Sequence, residues 1–265
     1  MLAARGLCIE GEAPAAVRVT ADPRALGPLD AVLIAVKTHA TVAALAPLRD
    51  VLAPSVPLIS LQNGLDAVAD VESALGARAA LALAPTTEAA LLLEPGLVRH
   101  TGRGRTTLGW ARGHDGGPWL ETCAALFRSA GLETRVVTPI EPFVWAKAIV
   151  NAAVNPLTAL AGVPNGELLE RPDLARRLAA VVREGAAVAA AAGIALPFAD
   201  PVAYANDVVR SSAANRSSML RDVERGRPTE IEAIAGALVR YAHRYGVPTP
   251  ETERVLDEVR ERVKA

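Results

Sequence analysis

Residues 30–64, DAVLIAVKTHATVAALAPLRDVLAPSVPLISLQNG, decide the fold class. Asp30 to Val36 is a short continuous apolar run with β-branched residues, the pattern of a parallel strand buried on both faces. Thr41 to Leu52 has helix-like spacing and is broken at Pro54. Val56 to Leu61 is a second apolar run, ending at Gln62-Asn63-Gly64. Strand, helix and strand in this order predict a βαβ unit and a parallel sheet. Parallel sheets bind ligands beyond the carboxyl ends of their strands. Lys37 and Asn63, which follow the two runs, therefore stand at the edge where a ligand is expected. Asn-Gly is also an ordinary turn pair, so this motif alone says little.

The alternation continues through the first half. Leu65 to Leu75 reads as a helix closed by Gly76, and Ala79 to Ala84 as a third strand. Leu97 to Leu108, with alternating positions and glycines at 102 and 104, predicts a hairpin. From about Pro142 the apolar pattern is helical nearly to the end. Leu174 to Ala192 is a long helix closed by Gly193, Glu230 to Tyr245 a second closed by Gly246, and Thr252 to Val263 the last. The expected architecture is α/β. A Rossmann-like parallel-sheet domain over residues 1–138 precedes an all-helical domain over residues 139–265.

Composition narrows the function. The chain has 265 residues, 51% hydrophobic and 22% charged, with a net charge of −1. That is a globular composition, without the basic excess of a nucleic-acid binder. Cys8 and Cys123 cannot make a disulfide framework. The first residues hold no signal-peptide core, and no apolar run reaches the roughly 18 residues of a membrane span. A soluble cytoplasmic protein is expected, with no membrane or nucleic-acid partner. The four histidines (His39, His100, His114 and His243) show no metal-ligand spacing, so no metal is expected. Gly102-Arg103-Gly104 lacks the third glycine of a dinucleotide fingerprint, and no G-x-S-x-G occurs.

Only three of the 28 basic residues are lysines: Lys37, Lys147 and Lys264. Lysine can lose its proton near neutral pH when buried; arginine cannot. In WAKAIVNAAVNPLTAL, Lys147, Asn151 and Asn155 recur at i, i+4 and i+8. On a helix they share one face amid apolar neighbours. Such a stripe must meet water, a partner or a ligand, and Pro156 is expected to kink or end the helix. A second polar group runs from Asn215 through Ser218 to Asp222, followed by Thr229-Glu230-Ile231-Glu232. Ser217 can cap one helix, and Thr229 with Glu232 can form a capping box for the next. Asn215, Ser218 and Glu230 are left over, with donors and an acceptor suited to a small hydroxylated carboxylate.

Together AVLIAVKTHAT, SLQNGLDAVADVESALG, PGLVRHTGRGRTTLG, AKAIVNAAVNPLTALAGVPNGELL and RSSMLRDVERGRPTEIEAIAGALVRYAHRYGVPTPETERV resemble the ketopantoate reductase family over nearly the whole chain. The resemblance implies a Rossmann domain and a helical domain with the active site between them. It also implies an oxidoreductase that reduces 2-dehydropantoate to pantoate with NADPH, in pantothenate and coenzyme A biosynthesis. Lys147 matches the catalytic general acid, and Glu230 the carboxylate that holds the substrate hydroxyl. Asn151, Asn155, Asn165, Asn215 and Ser218 match substrate-binding positions; Lys37 and Asn63 match positions facing the cofactor. The helical domain of such proteins implies a homodimer. Two alternatives stay open: a related reductase of another 2-oxo acid, and a non-catalytic helical dimerisation or binding module. One departure is expected. The family's opening strand, GxGxxG turn and helix, about forty residues, find no counterpart here, so the first βα unit is expected to be lacking.

Overall fold

The computed structural model describes residues 6–77, 80–112 and 118–264. His114 and Ala79 lie outside them. Contacts divide the chain into two compact units. One comprises residues 1–35, 41–61 and 71–140. The other comprises 36–40, 62–70 and 141–265. The second half of the chain is thus joined by two short segments from the first, those that carry Lys37 and Asn63.

In the first unit, β2 (Val32–Ile34), β3 (Leu58–Ser60) and β4 (Leu81–Leu83) pair in parallel, as the apolar runs predict. β7 (Arg105–Arg112) continues the sheet antiparallel to β4, and β8 (Glu133–Val136) pairs parallel with β7. The order is β2-β3-β4-β7-β8. β3 and β4 are buried along their length, which is why they read as continuous apolar runs rather than alternating ones. β2 is the edge strand, and Leu33 on it is 53% exposed. Ile59, Ala82, Leu108, Leu120 and Ala124 form the core beneath the helix of residues 119–129.

The hairpin expected over Leu97 to Leu108 is corrected. β6 (Leu97–Gly102) pairs antiparallel with β5 (Ala89–Glu94) around Pro95-Gly96 and parallel with β1 (Cys8–Ile9), in a separate three-stranded sheet. The chain then leaves that sheet, and residues from 105 onward enter the other one. Alternation marks each strand but not the sheet it joins.

The helices that follow complete the picture. In chain order they are α1 (Thr41–Leu45), α2 (Ala67–Leu75), α3 (Trp119–Ser129), α4 (Glu141–Ala161), α5 (Glu167–Glu170), α6 (Pro172–Ala191), α7 (Pro201–Ser211), α8 (Ser218–Glu224), α9 (Ala237–Tyr245) and α10 (Pro250–Lys264). The helix expected from Thr41 to Leu52 is shorter, with 3₁₀ turns at 38–40 and 46–48. The glycine stops at 76, 193 and 246 hold, all at positive φ.

α4 is the central helix of the second unit. Ile149, Val154 and Leu157 on it pack with Leu178, Leu238 and Val255. It is also the one helix among the described residues long and apolar enough to cross a membrane, and 72% of that window is buried inside the protein. It does not end at Pro156, as expected, but runs on to Ala161. Proline removes one amide donor. Both flanks are buried, and Thr158 Oγ1 reaches Val154 O at 2.8 Å and Asn155 O at 2.9 Å, beside the interruption. α6 crosses α4 at Gly185, where a Cβ would stand 2.9 Å from Ile149 Cγ1. A π-helical turn, Glu232–Gly236, leads into α9.

Candidate active site

In the second unit, Lys37 and Asp222 gather beside the buried Glu230. This residue closes the 225–230 loop just ahead of the π-helical turn and is 7% exposed. Its carboxylate is caged by donors from the two inserted segments. Oε1 accepts from Thr38 N at 3.2 Å and Thr38 Oγ1 at 3.4 Å; Oε2 accepts from Asn63 Nδ2 at 3.1 Å. Lys37 Nζ lies 3.9 Å from Oε2 and makes its close contact, 2.8 Å, with Asp222 Oδ2.

Backbone geometry explains why these groups meet. Gln62 Nε2 donates to Val36 O at 2.8 Å, joining the two inserted segments. Gly64 has φ +93°, and a Cβ there would stand 2.2 Å from Ala233 O on the π-helical turn. Only glycine allows both that backbone and that approach. Asp66 pairs with Arg240. Asn63 is therefore held against Glu230 by contacts on both sides of it.

Asp222 comes from α8. Ser217 caps this helix, accepting from Leu220 N at 3.0 Å, and its Oγ lies 2.7 Å from Thr158 Oγ1 on α4. The capping box expected of Thr229 and Glu232 is not formed. Glu232 instead takes Arg260 at 2.7 and 2.9 Å, because a bidentate guanidinium offers two charge-assisted bonds.

Lys147 is half-buried on α4. Desolvation pushes its ammonium pKa down to about 8, opposed by the negative charge of Glu230. Lysine 147 and Glu230 therefore feel each other without a direct ion pair. One turn on, Asn151 is partly accessible; Asn155, a further turn on, is buried. Ser218 and Asn215 are exposed.

Asn165 stands apart in its contacts. Its Nδ2 donates to Ser212 Oγ at 2.9 Å and its backbone N to Asn215 O at 2.9 Å. It ties the loop after α4 to the loop before α8. The structure thus brings Lys37, Asn63 and Glu230 together, sets Lys147 within their field, and joins Asn165 to Asn215. Lys37 and Asn63 are engaged by acidic side chains of the helical unit. Thr38, beside Lys37, goes beyond the sequence reading, and Asp222, which closed the polar group from Asn215 but was given no role there, joins the site. Asp222 follows Ser218 by four residues and so shares its helix face, a spacing that could have marked it. Among the described residues no cluster of His, Cys, Asp and Glu could hold a metal ion.

The chain joins a parallel-sheet unit to a helical unit in which a buried carboxylate lies in the field of a lysine, and comparison with known proteins gives its family. The family model described as ketopantoate reductase PanE/ApbA matches residues 2–113, and its C-terminal counterpart matches residues 140–263. The chain belongs to the ketopantoate reductase family. It is 36% identical over 242 residues to the 2-dehydropantoate 2-reductase of Halobacterium salinarum, covering 91% of this chain and 78% of that protein. The crystal structure of a PanE/ApbA family ketopantoate reductase from Ralstonia eutropha JMP134 matches with TM-score 0.87 and 30% identity, over 99% of this chain and 86% of that one. D-mandelate dehydrogenase, solved with NADH and anilino(oxo)acetate, shares the fold with TM-score 0.88 at 23% identity, over 99% and 86% of the two chains. The N-terminal family model matches from residue 2 and gives no support to the expected lack of a first βα unit.

Proposed function

We propose that this chain is an NADPH-dependent reductase of 2-dehydropantoate, forming pantoate in the cytoplasm on the route to pantothenate. Family membership supports the reaction class. The observation that carries the substrate is the Glu230 carboxylate, caged by Thr38 and Asn63 in the field of Lys147.

A bound reduced nicotinamide would supply the hydride in a reaction of this class. Among the described residues no glycine-rich turn opens a helix to cradle a pyrophosphate, and the donors Lys37 and Asn63 already serve Asp222 and Glu230. The fit to the whole dinucleotide is therefore not made by these residues, and the steps that follow concern the chain's own groups. Lys147, protonated below about pH 8, gives a proton from Nζ to the ketone oxygen as that oxygen gains charge, then regains one from water. Glu230 accepts the substrate's hydroxyl. Asn151, Asn155, Asn215 and Ser218 are the donors for its carboxylate, and Asn165 holds the Asn215 loop in place. The protein is proposed to work as a homodimer, which light scattering reads directly.

The test is substrate discrimination. A hydrogen bond to a charged group contributes about 1.5–3 kcal/mol. Glu230→Ala should therefore lower kcat/KM for 2-dehydropantoate about 10- to 100-fold. Trimethylpyruvate, the same 2-oxo acid without the terminal hydroxyl, should lose far less. Equal losses on both substrates would make Glu230 structural and remove the basis for this substrate.

A further inference from the structure

We infer that Asp222 is a positioning residue: it holds the Lys37 ammonium away from Glu230 and so keeps one acceptor position of Glu230 open for the substrate's hydroxyl. The inference rests on the proposed role of Glu230 and adds to it a residue that touches neither substrate nor cofactor.

An ionised carboxylate offers about four acceptor positions, two on each oxygen. On Glu230, Oε1 takes both Thr38 N and Thr38 Oγ1. Oε2 takes Asn63 Nδ2, which leaves one position. The nearest cation is the Lys37 ammonium, 3.9 Å from that same Oε2. At this distance it does not fill the remaining acceptor position, because it lies beyond hydrogen-bond reach. Lysine is a point charge on a flexible stem, and the Lys37 side chain is 42% exposed. Nothing in its own stem prevents a shift of about an ångström onto Oε2, where Coulomb attraction is stronger. Asp222 prevents it. Its Oδ2 holds Nζ at 2.8 Å. Asp222 is itself 9% exposed and fixed on α8, whose cap is locked to Thr158 of α4. A buried carboxylate on a rigid element outcompetes one that already has three donors.

Asp222→Asn removes the charge and keeps the shape. Lys37 should then close on Glu230 and compete with the substrate's hydroxyl. We expect kcat/KM for 2-dehydropantoate to fall about tenfold, mostly through KM, out of the ~10–100-fold that the charge-assisted bond supplies. Trimethylpyruvate should change less than about twofold, because it never used that position. Lys37→Met alone should keep the parent's ratio of the two kcat/KM values, and adding it to Asp222→Asn should restore the ratio. The Lys37→Met arm stands even where Asp222→Asn fails to fold. A merely structural Asp222 would lower both substrates together and would not be rescued by Lys37→Met; either result overturns the inference. So does a Lys37→Met enzyme that loses the ratio. Glu230→Ala in the same series separates the two ideas. If it collapses the ratio while Asp222→Asn does not, only the inference about Asp222 falls. If it keeps the parent ratio, the acceptor role of Glu230 falls and this inference with it.

Discussion

Lys147→Ala removes the proposed proton donor and nothing else that the helix needs, since alanine is the best helix former. Burial has brought the ammonium from 10.5 down to about 8, so at pH 7 it is mostly protonated yet ready to release its proton. Losing a general acid lowers kcat by about 10²–10⁴-fold, roughly 3–5 kcal/mol of barrier. Lys147→Arg should fail as well, because arginine holds its proton throughout the working range. In the parent, kcat should be steady below about pH 8 and decline above it, as the acid is lost. Stability should run the other way. The unfolded chain binds a proton at Lys147 more tightly than the folded one, so between about 8 and 10.5 folding stability should rise with pH. The cost at neutral pH is at most about 3 kcal/mol, and Lys147→Met should recover part of it. Steady-state oxidation of NADPH with 2-dehydropantoate gives kcat across pH; urea melts at pH 7 and above give the stability. A Lys147→Ala enzyme within a few-fold of the parent, or a parent profile flat to about pH 10, would refute the assignment.

Two further substitutions test how the site is held. Gly64→Ala forces a side chain into a backbone at φ +93° and to within 2.2 Å of Ala233 O; we expect a stability loss of at least about 1–3 kcal/mol and, in the folded fraction, a raised KM as Asn63 is pushed off Glu230. Denaturant midpoints and KM together check it, and an unchanged KM would show that Gly64 serves the fold alone. Glu184→Ala removes the acceptor for Glu251 N at 2.9 Å, Thr252 N at 2.8 Å and Thr252 Oγ1 at 2.6 Å at the start of α10. It should cost about 1–3 kcal/mol by chemical unfolding, with kcat/KM kept within about twofold.

Local chemistry made much of this protein legible in its residues alone. Continuous apolar runs at Asp30 to Val36 and Val56 to Leu61 marked two parallel strands. The second is covered on both faces and has no reason to alternate, whereas the first lies at the sheet edge and leaves Leu33 53% exposed, so burial on both faces was not its cause. Glycines at 76, 193 and 246 marked helix ends, because only they enter the left-handed region without strain. A lysine and two asparagines at helical spacing marked one face of α4. These signals work because each depends on residues within a turn or two. What the tertiary structure decided lies beyond that reach. The strand after Gly104 joins a different sheet from the strand before it, a matter of partner rather than of period. Pro156 stays within its helix because packing outweighs one missing bond. Lys37 meets Asp222 across 185 residues, Asn63 meets Glu230 across 167, and Thr38 meets Glu230 across 192. Each of those residues reads locally as a turn, a cap or a strand end. Their joining into one acceptor site follows from which backbones can approach, as Gly64 does at Ala233, and a linear pattern carries no record of approach.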